Sequence, residues 1–331
     1  LDGQPRLSAT NFIFLSTLSW KNYSLKGLLN SFWMRKEDII CQKEIIMRIA
    51  MSGVSGFVGS YLSKRFVENN HEIVAITRHT LADESALLAT LKGCDAIINL
   101  AGANISERWS QAHKKAMISS RIDTTRAIVN ALNSMQYPPK ILISTSAVGI
   151  YENAKSHDES SNEFDEGFLG KLAHSWEEEA KKAKGARIVI FRFGVVLGKN
   201  GGALKQMLPI FKLGLGGVLG DGNQGFSWIH IEDLYRAYNL VLKEEKYKGV
   251  YNLTAPEPVT NKEFTKAIGK ALHRPTFLPV PPFILKLKFG EGANILLQGS
   301  KVYPKRLIDS GFSFLYPKIN LALEAIVNQK E

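Results

Sequence analysis

Residues 47–62 read MRIAMSGVSGFVGSYL. A short apolar strand at 48–52 runs into glycines at 53, 56 and 59, and an apolar-periodic helix opens at Phe57. This order predicts a pyrophosphate cradle: Gly53 permits the tight turn, Gly56 lets the backbone approach the phosphates, and Gly59 lets the helix pack on the strand. The helix start supplies free N–H groups and the positive end of its dipole to the anion. Gly53, Ser55, Gly56, Phe57, Val58 and Gly59 are therefore the expected contacts of a dinucleotide, because the motif has both the strand before it and the helix after it.

Working outward, strands and helices alternate. Strand two is HEIVAIT (71–77), a helix follows at 81–91, DAIINL (95–100) is a strand, and 113–135 reads as one long helix. KILIST (140–145), a helix at 168–183 and RIVIFRF (187–193) continue the rhythm. Near-continuous Ile/Val/Leu strands between helices predict a parallel sheet covered on both faces, an α/β doubly wound Rossmann domain. Its expected extent is 47–194, completed by the strand-helix-strand signals of 227–254. Residues 195–226, dense in glycine, and 255–331, rich in proline, form the expected smaller C-terminal α/β substrate domain over the carboxyl ends of the strands. Residues 1–46 read as an extension outside the core fold; a transit peptide is the competing reading, since acids are sparse before Glu37.

The 331 residues carry a net charge of +11, with 11 Lys or Arg against 5 Asp or Glu from Lys262 onward. No nucleic-acid module accompanies that excess and no apolar run has the length of a membrane span, so a phosphorylated small ligand is its expected partner. Seven scattered histidines and the distant pair Cys41 and Cys94 form no metal-ligand cluster, and they fit a reducing, cytoplasmic setting. Arg78 stands 19 positions after Gly59, where an acid would select NAD; a guanidinium there favours the 2′-phosphate of NADP(H). Asn99, Leu100, Ala101 and Gly102 end the third strand with small residues that let the cofactor lie against backbone.

The glycine turn, NLAG (99–102), Ser144-Thr145-Ser146-Ala147 and WIHIEDL (228–234) resemble the extended short-chain dehydrogenase/reductases, the class of sugar-nucleotide epimerases and dehydratases. SSRI (119–122), SAVGIY (146–151), RFGVVLG (192–198), RPTFLPVP (274–281) and GEGANILLQGSKVYPKRL (290–307) are similar to its atypical epimerase-like branch, which ends in a module of unknown function. The resemblance covers Met47 to about Val327. It implies an NADP(H)-binding oxidoreductase or epimerase acting on a small molecule, with Ser146 holding the reacting oxygen. It also implies a tyrosine and a lysine four residues apart for proton transfer; aligned on Glu177, those positions hold Leu169 and Ala173, an absence shared by the atypical branch. Lys171 and His174 flank the vacant positions as substitute proton carriers. Tyr151 and Lys155 repeat the spacing, but in a polar stretch rather than on a helix, so Tyr151 is expected in a loop near the pocket. Arg108 and Trp109 after NLAG, Arg121 on the next helix, and Gln224 and Trp228 with the 214–225 loop are the expected substrate contacts. A homodimer through two long helices fits the same resemblance. The missing pair raises a second expectation, a dinucleotide-binding regulator with little turnover, which the cell-division label of some members of the branch would suit.

Overall fold

The computed structural model describes residues 46–329; the expectations for 1–45, Cys41 among them, lie outside the described residues. Six parallel strands form the central sheet: β1 (Arg48–Ser52), β2 (Glu72–Ile76), β3 (Ala96–Asn99), β4 (Ile141–Ala147), β6 (Arg187–Phe193) and β10 (Gly249–Leu253). Their order across the sheet is β10, β6, β4, β3, β1, β2. The order reverses between β1 and β3, which opens a crevice at their carboxyl ends.

Strand side chains alternate between two cores, as a pleated strand requires. Ile49, Met51, Ile98, Ile143 and Phe191 face one side, packed by α1 (Phe57–Glu68) and α8 (Ile231–Lys243). Ala50, Ile97 and Leu142 face the other, with Leu87 and Leu91 of α3 (Glu84–Leu91) and Ile128, Val129 and Leu132 of α5 (Thr124–Ser134).

Two helices differ from expectation. The helix expected at 81–91 begins earlier, as α2 (Arg78–Ala82), and breaks at Asp83, whose carboxylate caps α3 by accepting from the N–H groups of Ser85 and Ala86. The single helix expected at 113–135 is α4 (Gln111–Ile118) and α5 joined through a π-turn at Ser119–Asp123. Such turns are rare insertions in a helix, and this one contains Arg121.

Beyond β6 the chain builds a second apolar core from β7 (Val195–Leu197), α7 (Gly202–Lys212), β9 (Trp228–His230), α9 (Asn261–Leu272) and α13 (Ile319–Asn328), around Leu204, Phe264, Ile268 and Leu323. The segment between α9 and α13 crosses back to the large sheet. Lys301–Val302 (β12) pairs with Ser156–His157 (β5), and Leu307 of α12 (Lys305–Asp309) enters the core under β6 and β10. The described residues 46–329 accordingly belong to one compact unit. Among the described residues no helix is long and apolar enough to cross a membrane.

The two layers are joined at the β9–α8 corner. His230 Nδ1 caps α8 by accepting from Glu232 N–H at 3.1 Å, and its ring lies 3.9 Å from that of Tyr316. The buried Asp233 carboxylate accepts the N–H groups of Leu315 and Tyr316 at 2.7 and 2.8 Å. Burial pulls the His230 pKa from 6.5 down to about 4. Between those two values the unfolded chain binds a proton that the folded chain refuses, so stability falls as pH drops from 6.5 towards 4, by up to roughly 3 kcal/mol. Urea titrations at pH 7.5, 5.5 and 4.5 are expected to show that loss, and His230→Asn, which keeps a capping acceptor, to flatten it.

Candidate functional site

At the glycine turn Gly53 adopts φ +71°, and Gly56 N–H closes the turn on Gly53 O at 3.0 Å. A Cβ on Gly59 would stand 2.1 Å from Gly53 O, so any side chain there would push α1 off the turn. The first turn of α1 has no side-chain cap and no acidic residue, leaving its N–H groups for an anion, with Ser55 and Gly56 exposed beside them. Phe57 contributes its backbone to that turn, but its ring points elsewhere: it fills a slot among Gly198, Gly201 and Gly202, where a Cβ on Gly201 would lie 2.1 Å from the ring. Arg78 is exposed at the carboxyl end of β2 as the first residue of α2, with no carboxylate in ion-pair range among the described residues.

Behind the turn runs a buried chain of hydrogen bonds. Ser52 Oγ donates to Asn99 Oδ1 (2.6 Å) and accepts the N–H groups of Leu100 and Ala101. Asn99 Nδ2 and Trp176 Nε1 both donate to Thr125 Oγ1 at 2.9 Å, and that hydroxyl donates to Arg121 O. Asn99 is 1% exposed, and both of its side-chain polar atoms brace β1 against β3 and α5. Leu100 and Ala101 stay half-buried at the crevice and Gly102 is exposed there. Gly102 also makes room for a neighbour, since a Cβ would lie 3.0 Å from the Arg121 guanidinium carbon.

Ser146, at the end of β4, belongs to a second buried cluster. Its hydroxyl donates to Glu177 Oε1 at 2.7 Å. Arg192 grips the same carboxylate through Nε (2.7 Å) and Nη2 (2.8 Å), and its Nη1 donates to the Tyr151 hydroxyl, which donates to Asn252 Oδ1. Tyr151, just past the short helical turn 148–150, is buried: it is 1% exposed, and its ring stacks on His157 at 4.9 Å. Lys155 points away to Glu152 and Glu163, so the Tyr-x-x-x-Lys spacing at 151–155 makes no pair. On α6 (Phe168–Lys181) Ala173 is buried, while Lys171 and His174 are exposed and His174 meets the ring of Phe164.

Glu177 and Arg192 were not singled out as site residues on sequence grounds. Their signal is positional: Glu177 occupies a core position of α6 beside Ala173, Trp176 and Ala180, and Arg192 interrupts the apolar strand RIVIFRF.

Of the expected substrate contacts, Arg108 is exposed on the loop after β3, and its stem lies against Gly290. The Trp109 ring packs on Phe168 at 5.4 Å and touches Gly292. Gln224 Nε2 donates to Leu219 O and Leu296 O, while its buried Oε1 has no protein partner. Trp228 is fully buried in the second core and donates to Glu257 O. Among the described residues no cluster of His, Cys, Asp or Glu suits a metal.

Breaking the Arg192–Glu177 pair strands a buried charge. Arg192→Met is expected to cost roughly 3–5 kcal/mol in urea unfolding, and the double variant with Glu177→Leu to recover part of it, because both charges are then gone.

Residues 49–254 match the model of the NAD dependent epimerase/dehydratase family, and 280–326 match a domain of unknown function, DUF1731. The epimerase family protein SDR39U1 homolog, chloroplastic, of Arabidopsis thaliana is 40% identical over 97% of this chain and 97% of its own length. That coverage takes in most of residues 1–46, so the extension does not lie outside every resemblance. A crystal structure of human epimerase family protein SDR39U1 (isoform 2) with NADPH superimposes with a TM-score of 0.81 at 35% identity, over 86% of this chain and 100% of that one. UDP-glucuronic acid 4-epimerase from Bacillus cereus in complex with NAD shares the fold at 18% identity and a TM-score of 0.67, over 85% of this chain and 96% of that one. The family match spans the glycine turn, the braced crevice and the Ser146 cluster alike: this chain belongs to the NAD dependent epimerase/dehydratase family.

Proposed function

We propose that the protein binds NADP(H) at the β1–α1 turn and acts as an epimerase-like oxidoreductase on a small molecule. The observation that carries this reading is the uncapped, acid-free start of α1, with the exposed, carboxylate-free Arg78 at the end of β2. The first suits a pyrophosphate and the second a 2′-phosphate. The human relative was crystallised with NADPH, which supports the same assignment. Gly53, Ser55, Gly56, Phe57, Val58 and Gly59 would hold the pyrophosphate through backbone, and Leu100, Ala101 and Gly102 would line the crevice. When bound, the cofactor supplies or accepts a hydride.

The chain's own part is to hold the reacting oxygen. Ser146 gives its only proton to Glu177, and Arg192 fixes that carboxylate, so Ser146 Oγ offers lone pairs to a ligand. Ser146 is 1% exposed, so a substrate alcohol would have to reach those lone pairs from the carboxyl end of β4. With Leu169 and Ala173 in place of a phenol and an ammonium, the proton leaves that oxygen through water, or through Lys171 or His174 at the exposed face of α6.

Calorimetric titration of the full chain is expected to show NADPH binding at least about tenfold tighter than NADH, and Arg78→Asp to erase that preference. An unchanged ratio would sink the Arg78 assignment. Oxidation of bound NADPH by a metabolite pool, followed at 340 nm, would show turnover; tight binding without turnover across a broad pool would favour a regulatory protein.

We infer also that residues 1–46 direct import into an organelle. The Arabidopsis relative is named chloroplastic, and its 97% coverage of this chain takes in most of this segment. A fluorescent protein fused behind residues 1–46 is expected to enter the organelle; uniform cytoplasmic signal would overturn this reading.

A further inference from the structure

We propose that Arg121 is the anion receptor of this site, and that the substrate carries a carboxylate or phosphate group. The proposal rests on the NADP(H) reading above and adds to it the chemical class of the substrate.

Arg121 sits in the π-turn between α4 and α5, half-buried at the carboxyl ends of β3 and β4. Its guanidinium lies over the ring of Trp176, 5.3 Å from the centroid, and against Gly102. Nη1 donates to Met117 O at 3.2 Å and Nη2 to Ala103 O at 3.1 Å. These bonds use two of the five N–H groups that a guanidinium carries.

No carboxylate among the described residues faces Arg121 in its half-buried place at the ligand end of the sheet. Among the described residues the other half-buried arginines divide into two kinds. Arg48, Arg65 and Arg236 each face a carboxylate, Glu72, Glu232 and Asp233 respectively. Arg187 and Arg306 bond main-chain oxygens, as Arg121 does, but they do so at the amino ends of β6 and β10, away from the crevice. Among these half-buried arginines Arg121 alone combines a carboxylate-free guanidinium with a place at the ligand end of the sheet. Burial with no compensating carboxylate pulls its pKa down to about 10, which still leaves it charged at neutral pH. A buried cation held only by carbonyls and a ring gains most from an incoming anion, because the low dielectric strengthens that attraction.

The position also fits the reaction. Trp176, under the guanidinium, and Glu177, holding Ser146, are consecutive residues of α6. One turn earlier the helix carries Ala173, where the resemblance expects an ammonium, so Arg121 returns a cation to that face. A ligand with its alcohol on Ser146 and its anionic group on Arg121 would be gripped at two points, which orients it for reaction. The planar fork suits carboxylate and phosphate alike.

The test uses the full chain saturated with NADPH, at fixed ionic strength in sodium chloride. Malonate and inorganic phosphate are titrated separately, followed by calorimetry and by tryptophan fluorescence, with Trp176→Phe identifying the reporter. One saturable anion site is expected, and whichever probe binds names the group as carboxylate or phosphate. Arg121→Gln is expected to weaken that anion at least about tenfold and to leave NADPH affinity within about twofold of the parent. Should Arg121→Gln fail to fold, Arg121→Lys keeps the charge without the fork and is expected to weaken the anion about threefold or more. A purely structural clamp between Met117 O and Ala103 O would lower the melting temperature of either variant without changing anion affinity in the folded protein, and that result overturns the proposal. NADPH binding with no saturable anion site overturns it too, as does an Arg121→Gln variant whose NADPH affinity falls as far as its anion affinity. Absence of NADPH binding overturns the cofactor reading and this proposal with it.

Discussion

The hydroxyl of Thr125 holds the ligand end of the sheet together. It accepts from Asn99 and from Trp176 and donates to Arg121 O, so its full capacity is used in a buried place. Through Asn99 the same chain reaches Ser52, whose hydroxyl in turn pins the first two amides after β3. Four elements from distant parts of the sequence thus share one set of donors and acceptors. In a low dielectric such a chain is costly unless every member is satisfied, and this one is complete at both hydroxyls. The glycine turn keeps its shape because the strand beneath it is tied to its neighbour, and Arg121 keeps its place because its carbonyl is tied to the same hydroxyl.

The Ser146 cluster follows a different logic. A buried arginine–carboxylate pair is a poor source of net stability, since two desolvated ions offset most of their attraction. Here the pair adds direction: Glu177 receives one hydrogen bond from Ser146 and a two-pronged grip from Arg192, so the serine proton has a fixed destination. Tyr151 and Asn252 extend the grip to β10. The edge strand β10 is thus tied into the network that sets which way the buried Ser146 hydroxyl points.

The fold was legible because it rests on local patterns. The run MRIAMSG followed by an amphipathic helix, the apolar strands and the glycines at 53 and 59 each encode geometry within a few residues. The π-turn was not legible, since SSRID has unremarkable helix propensity and the extra residue in the turn leaves no periodicity break in so short a segment. Asn99 reads as a ligand contact because it ends a strand at the right place; that its amide turns inward depends on Ser52 and Thr125, 47 and 26 positions away. The burial of Trp228 and Tyr151 was equally hidden: an aromatic beside glycine or polar residues reads as loop, and only the packing of distant elements shows it to be buried. Glu177 and Arg192 carried a signal as charges at apolar positions, but naming them as partners required the parallel register of β4 and β6, which sets Ser146 opposite Arg192.

The corner formed by His230 and Asp233 bears on how the chain is made. Synthesis proceeds from the amino end, and domains fold as their residues emerge. The amides that satisfy the buried Asp233 carboxylate belong to Leu315 and Tyr316, and the ring that covers His230 is that of Tyr316. While these residues are still inside the ribosome, the nascent sheet carries an acid and an imidazole with no cover. Residues 315–316, translated well after the large sheet, therefore act as a latch over the start of α8.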